Sequence, residues 1–245
     1  MSEPRFDADE VFEEDYLYFF VETLDERADD EAEVIWRLLA LEPGMEVLDL
    51  ACGHGRIANR LAELGARVTG LDRSPLFLEW ARRDAAARGV EVDYVEGDVR
   101  GLQWEGAFDR VVSWFTSWGY FDDEANRAVL GDVHEALRPG GALLLECNNL
   151  AELLPRWQPS AVLEKGDDVL IDRHVFEPIT GRADTERTVV RDGRTRRFSF
   201  SVRMFVAAEL ADWLREAGFD EVRFYDREGE PLTAQGRRML AIASR

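Results

Sequence analysis

Residues 49–55 read Asp-Leu-Ala-Cys-Gly-His-Gly. They follow a short apolar run, Val47, Leu48 and Leu50, and precede Ile57, Leu61 and Leu64 at helical spacing. The order is strand, glycine turn, helix. Glycines at such a turn permit positive φ and let a ligand come close to the backbone. The helix that follows points partnerless N–H groups at the same place. The dinucleotide fingerprint G-x-G-x-x-G is not met, because its three positions hold Ala51, Gly53 and Arg56. A second acid, Asp72, ends the next strand, Arg67–Asp72. An acid there can accept hydrogen bonds from both hydroxyls of an adenosine ribose.

The pattern Asp49-x-Ala51-x-Gly53-x-Gly55 resembles the first motif of class I S-adenosylmethionine (SAM) dependent methyltransferases, with Ala51 at the first glycine position. Gly-Leu-Asp72-Arg73-Ser resembles the second motif. In the third, the family uses an acid matching Asp98 to accept from the adenine amine, with the Val99 N–H donating to a ring nitrogen. Thr116-Ser117-Trp118-Gly119-Tyr120-Phe121 resembles a stretch found in a group of small-molecule methyltransferases, with Trp118 in place of phenylalanine. Leu-Arg-Pro-Gly-Gly, residues 137–141, is a further family marker.

The resemblance implies SAM as cofactor, with S-adenosylhomocysteine as its product. It places Asp49, Ala51, Cys52, Gly53, Gly55, Asp72, Arg73, Asp98, Val99 and Trp114 around it. The turn at 51–55 would hold the methionyl end, Asp72 the ribose and Asp98 the adenine. The methyl group would project toward Trp114–Tyr120. The stretch Trp114–Phe121 holds Trp114, Phe115, Trp118, Tyr120 and Phe121. Aromatic faces can hold a sulfonium and exclude water; they equally suit apolar packing under a lid. The implied acceptor is a small molecule, with Trp118 and Tyr120 as pocket residues; if the segment at 151–206 acts as a lid, Arg173 and Arg203 join them. N-methylation is favoured over O- or C-methylation. Tyr16, Tyr120, Asn148 and His174 are the candidate groups for handling a proton, and Asn148 reads equally as loop punctuation.

Composition narrows the classes. The chain has 245 residues, 50 acids against 30 bases and a net charge of −20. Lys165 is the only lysine. That balance argues against nucleic acid and anionic membranes as partners. A basic cluster at Arg194, Arg196 and Arg197 reads as a solvated face. No apolar run approaches the ~20 residues of a membrane helix, and the acidic start lacks a signal-peptide pattern. A cytoplasmic enzyme is expected. Cys52 and Cys147 should lie about 9–10 Å apart with a strand between them, too far for a disulfide. The three histidines share no metal-ligand spacing, so no metal is expected.

The elements that must position these residues follow. Residues 1–44 read as a helical cap with a break near Asp25–Asp30, either packed on the sheet or closing as a flap. Residues 45–150 read as the SAM-binding α/β core, with Val92–Val99 as its third strand and that strand's exit, Phe108–Phe115 as its fourth strand and Ala142–Glu146 as its fifth. Residues 151–206 read as an antiparallel insert with strands near Ala161–Glu164, Val169–Phe176, Ala183–Val190 and Arg196–Val206. It serves either as a lid or as an oligomerisation sheet for a homo-oligomer. Residues 207–245 complete the core with a final antiparallel pair. The fold expected is a seven-stranded Rossmann-like methyltransferase sheet, order 3-2-1-4-5-7-6 with strand 7 antiparallel, helices on both faces. Two rival functions share the glycine turn: a nucleotide-dependent dehydrogenase, and a SAM-binding or assembly protein without catalysis.

Overall fold

A computed structural model describes residues 6–245. Three helices come first: α1 (Ala8–Val11), α2 (Glu14–Asp25) and α3 (Ala28–Leu38). The expected break falls between α2 and α3. Strands and helices then alternate: β1 (Glu46–Leu50), α4 (Arg56–Glu63), β2 (Arg67–Asp72), α5 (Pro75–Arg88), β3 (Asp93–Glu96), β4 (Phe108–Ser113), α6 (Asp123–Ala136) and β5 (Leu137–Asn148). After α7 (Leu150–Leu153) come β6 (Ser160–Lys165), β7 (Asp168–Glu177), β8 (Arg182–Arg191) and β9 (Arg194–Arg203). The chain ends with α8 (Ala207–Glu216), β10 (Glu221–Tyr225) and β11 (Arg238–Ser244).

The larger sheet has the order β10-β11-β5-β4-β1-β2-β3. All its neighbours are parallel except β11, which runs against both β5 and β10. Numbered within that sheet alone, this is 3-2-1-4-5-7-6 with strand 7 reversed, as expected. The central strands are buried on both faces, and their side chains alternate between two cores. Leu48, Val111, Leu143, Leu145 and Met239 pack with α6 and α8. Val47, Val112, Leu144 and Leu240 pack with α3, α4 and α5. Each fully buried leucine contributes about 1.5–3 kcal/mol.

Local chemistry sets the boundaries. Ser74 caps α5 by accepting from the Phe77 N–H, Pro75 sits in its first turn, and Gly89 ends it in the left-handed region at φ +71°. β3 stops at Glu96, and its exit follows. There the Gly97 N–H turns back to the Asp72 carbonyl at 3.0 Å, and the Asp98 side chain accepts from the Arg100 N–H two residues on.

The insert is a separate four-stranded antiparallel sheet, β6-β7-β8-β9. Its inner face places Leu170, Val189, Phe198, Phe200, Val202 and Met204 against Val11 and Phe19 of the cap. It is pinned to the aromatic loop by the Arg203 N–H donating to the Gly119 carbonyl at 2.8 Å. Gly119 has φ +107°, and a Cβ there would stand 3.1 Å from the Arg203 carbonyl oxygen. No described helix is long and apolar enough to cross a membrane.

Candidate active site

A cavity of about 520 Å³ lies where three layers meet. Its floor is the carboxyl ends of β1, β2, β4 and β5, its side the cap helices, and its roof the inner face of the insert. Ligands of open α/β sheets bind at such strand ends, and the volume suits a nucleoside with a small partner.

The glycine turn forms one wall. Ala51, Gly53 and Gly55 take φ of +57°, +56° and +78°. Asp72 braces this turn from the next strand: its Oδ2 accepts from the Gly53 N–H and its Oδ1 from the Ser74 N–H, both at 2.8 Å. Each oxygen keeps a lone pair. Burial raises the Asp72 pKa, and the N–H donors of Ser74 and Gly53 pull it partly back. Asp49 is 2% exposed, its Oδ2 has no partner among the described residues, and burial pushes its pKa up to about 7. Arg56 opens α4 and is also buried. Its Nη1 donates to Glu31, but its Nη2 has no partner among the described residues.

The turn after β4 forms the second wall. Phe115 and Thr116 hold φ of +64° and +56° without being glycine, a strained pair that the surroundings must enforce. Arg238 of β11 does much of this. It forks onto Glu146, reaches Thr116 Oγ1 and Asn148 Oδ1 at 2.5 Å each, and lies 5.6 Å from the Phe115 ring centre. The Thr116 N–H donates to Glu146 at 3.0 Å. On the other side Glu31 accepts from the Trp114 indole at 2.9 Å.

The third wall is aromatic. Phe12, Tyr16, Phe20 and Phe77 meet edge-on or tilted, with ring centres 4.9–6.2 Å apart. Tyr120 joins Phe12 at 5.7 Å and Phe200 of the roof at 6.3 Å. Burial raises the pKa of both Tyr16 and Tyr120, so their hydroxyls stay protonated. The roof itself brings Asp172, His174, Thr185 and Arg187 to the cavity.

Of the residues expected from sequence, Asp49, Ala51, Cys52, Gly53, Asp72, Trp114, Tyr16, Tyr120, Asn148 and His174 line this cavity together. The others stand apart. Trp118 is core: it stacks on Phe205 at 5.0 Å and donates to the Asn126 carbonyl. Arg203 is buried facing away from the cavity, held by Glu209 and the carbonyls of Gly181 and Met204. Arg173 is exposed and pairs with Glu186, because its neighbour Asp172 takes the inner face. Asp98 is gripped by Arg100, which lowers its pKa; neither it nor Val99 lines the cavity. Arg73 pairs loosely with Asp9. Gly55 lies behind the turn, where a Cβ would sit 2.3 Å from the Tyr94 hydroxyl. The Arg194–Arg197 cluster is not simply solvated, since Arg196 pairs with Glu13 and Asp15 of the cap.

Sequence reasoning passed over Arg56, Arg238, Asp172, Thr185 and Arg187. Arg56 had a signal, standing directly after the turn. Asp172 and Arg187 signal only once β7 and β8 are paired in register, which sets them opposite each other.

Comparison with known proteins bears on the family and the fold. Residues 47–141 match the family described as a methyltransferase domain. Over 212 residues the chain is 33% identical to the cypemycin N-terminal methyltransferase of a Streptomyces species, covering 82% of this chain and 84% of that one. It is 39% identical over 122 residues to the demethylmenaquinone methyltransferase of Thermus thermophilus, but this spans 46% of the chain and only 54% of that relative's length. Among solved structures, the CcbJ methyltransferase of Streptomyces caelestis superposes with a TM-score of 0.73 at 25% identity, covering 89% and 88% of the two chains. SAM-bound CalS10, an amino pentose methyltransferase of Micromonospora echinaspora, superposes with a TM-score of 0.66 at 25% identity, covering 94% and 98%. With the motif turn, the braced acid, the sheet order and a relative matched over most of both lengths, this chain belongs to the class I SAM-dependent methyltransferases.

Proposed function

We propose that the chain methylates an amine nitrogen of a small molecule held between the strand ends and the insert. The observation that carries this is the division of the cavity. One half offers two buried polar atoms without partners among the described residues, Asp49 Oδ2 and Arg56 Nη2, on residues that line it beside Asp72. An unpaired buried acceptor and donor fit the ammonium and carboxylate of the cofactor's amino-acid end, and the spare lone pairs of Asp72 fit its ribose hydroxyls. The other half is an aromatic chamber under the insert. When bound, SAM supplies an electrophilic methyl group on sulfur.

The chain's own groups must then orient the acceptor and exclude water. Alignment of the reacting atoms is worth about 7–11 kcal/mol when ideal. Phe12, Tyr16, Phe20 and Phe77 close the chamber on the cap side. The choice of nitrogen rests on which bases are present. A hydroxyl or carbon acceptor needs a base to strip its proton before it attacks, whereas Tyr16 and Tyr120 are held protonated, Asp172 is engaged by Arg187, and His174, its basicity lowered by burial, is too weak a base to ionise a hydroxyl. A neutral amine brings its own lone pair. The relative matched over 84% of its length is named for methylating an N-terminus, whereas the demethylmenaquinone enzyme is matched over 54%. The test is incubation with SAM and a panel of primary and secondary amines, phenols and quinols, with products located by fragmentation mass spectrometry. Methyl groups on nitrogen are expected. Methyl groups only on oxygen or carbon would overturn the reading.

A further inference from the structure

The roof of the cavity carries more polarity than a lid requires. Its face is apolar at Leu170, Val189, Phe198, Phe200 and Val202. In the middle of that face Asp172 stands opposite Arg187, and His174 opposite Thr185. Burying such groups costs free energy that apolar side chains would avoid. Arg187 is 8% exposed. It donates Nε and Nη2 to the two oxygens of Asp172 at 2.7 Å each, with the rings of Phe20 and Phe200 at 5.4 and 5.2 Å. Its Nη1 makes no hydrogen bond among the described residues. His174 Nδ1 lies 3.0 Å from Thr185 Oγ1, and Trp157 meets the imidazole ring edge-on at 6.1 Å. His174 Nε2 makes no hydrogen bond among the described residues. Burial lowers the His174 pKa, keeping the ring neutral near pH 7, with Asp172 and Arg187 acting in opposite directions.

We propose, resting on the N-methylation reading, that this cross-strand row recognises a hydroxylated amine. Asp172 and Arg187 hold a hydroxyll near the reacting nitrogen, and His174 Nε2, with its Nδ1 proton directed at Thr185, receives the nitrogen's proton. Asp172 already neutralises Arg187, so the pair offers a free donor and free lone pairs with no net charge. A hydroxyl, which both donates and accepts, complements that pair; a carboxylate would meet the repulsion of Asp172. As the N–C bond forms, the bond from methyl to sulfur breaks with its electron pair left on sulfur, and the N–H proton passes to Nε2 and on to water. Thr185 acts only through His174 and is a positioning residue.

The test uses protein labelled with ¹⁵N at histidine and saturated with S-adenosylhomocysteine. The chain has three histidines, so His174 is assigned by its absence in His174→Gln. Long-range proton–nitrogen spectra read the tautomer directly. The Nδ1–H form is expected in the wild type, and a mixture in Thr185→Val. Glucosamine should move the His174 signals, leave those of His134 in place, and do so at concentrations at least about tenfold below those needed for cyclohexylamine. Arg187→Lys, which keeps charge but loses the fork, should erase that preference; Asp172→Asn serves if that variant does not fold. An Nε2–H tautomer, no response of His174 to glucosamine, or equal response to both amines would overturn the proposal. Each of those outcomes leaves S-adenosylhomocysteine bound, whereas the underlying reading fails separately, by methyl groups found on oxygen or carbon.

Discussion

Ala51 holds φ of +57° where its family pattern has glycine. The left-handed region costs an alanine about 1–2 kcal/mol, and glycine there would give back about 0.4–1 kcal/mol of unfolded-chain entropy. Ala51→Gly should therefore stabilise the protein by up to about 1 kcal/mol in urea titrations; a clear loss of stability would show that the methyl group packs usefully. Gly55→Ala should do the opposite. It adds the same conformational cost at φ +78° and drives a Cβ to 2.7 Å from that of Ala81, an overpacking penalty of about 1–3 kcal/mol. Asp49 adds a pH dependence. Its pKa is about 7 in the fold against about 3.9 when unfolded. Between those values the folded chain holds a proton that the unfolded chain has lost, so this contribution falls as pH rises through the window and stays low above it. Asp49→Asn lacks that loss and should gain on the wild type between pH 5 and pH 8 without cofactor. A constant difference would show that Asp49 is ionised throughout. At this scale the sequence displayed the turn and both acids, because spacing along one strand–helix unit is local. It misplaced Trp118 and Arg203 because their side-chain directions depend on Phe205 and Glu209, which arrive from later elements.

Among elements, the cap and the insert behave as one cover. Asp15 of α2 accepts from Arg191 of β8 at 3.0 Å and from Arg196 of β9 at 2.9 Å, and its side chain is only 16% exposed. Lys165 of β6 binds the Tyr18 carbonyl and Glu22. Removing Asp15 leaves two guanidinium groups facing each other with one fewer anion. Partial exposure and the remaining contact with Glu13 keep the cost near 1 kcal/mol. Because the cap supplies Val11, Phe12, Tyr16 and Phe20 to the cavity wall, the larger effect should be kinetic. Asp15→Ala is expected to release S-adenosylhomocysteine several-fold faster in stopped-flow fluorescence, and added salt should narrow the gap by weakening the wild-type contacts. An unchanged release rate would show that the cover does not open there. The individual helices and strands were legible because each carries its own period and its own stops, as with Ser74-Pro75 and Gly89. What was not legible was that Arg196, on an edge strand, meets Asp15. That contact joins two segments whose approach only the complete fold determines.

For the whole molecule the decisive quantity is charge. The chain carries −20 overall, yet four arginines, Arg56, Arg156, Arg187 and Arg238, reach the cavity, each beside a carboxylate. Most of the excess acid therefore faces solvent and repels itself. Exposed pairs such as Arg173–Glu186 and Arg223–Glu221 offset little of this, since water and salt screen them. Raising salt from 10 to 150 mM shortens the screening length from about 30 to about 8 Å. Relief of repulsion should then outweigh loss of surface pairs, lifting stability by about 1 kcal/mol, or about 2–4 °C in Tm for a chain of this size. The same field acts on the cofactor with the opposite consequence. SAM carries one net positive charge, so an acidic surface raises its encounter rate, and screening lowers it. One salt titration should therefore raise Tm in differential scanning calorimetry while slowing SAM association in stopped flow. If Tm instead fell with salt, surface ion pairs rather than self-repulsion would govern the stability of the fold.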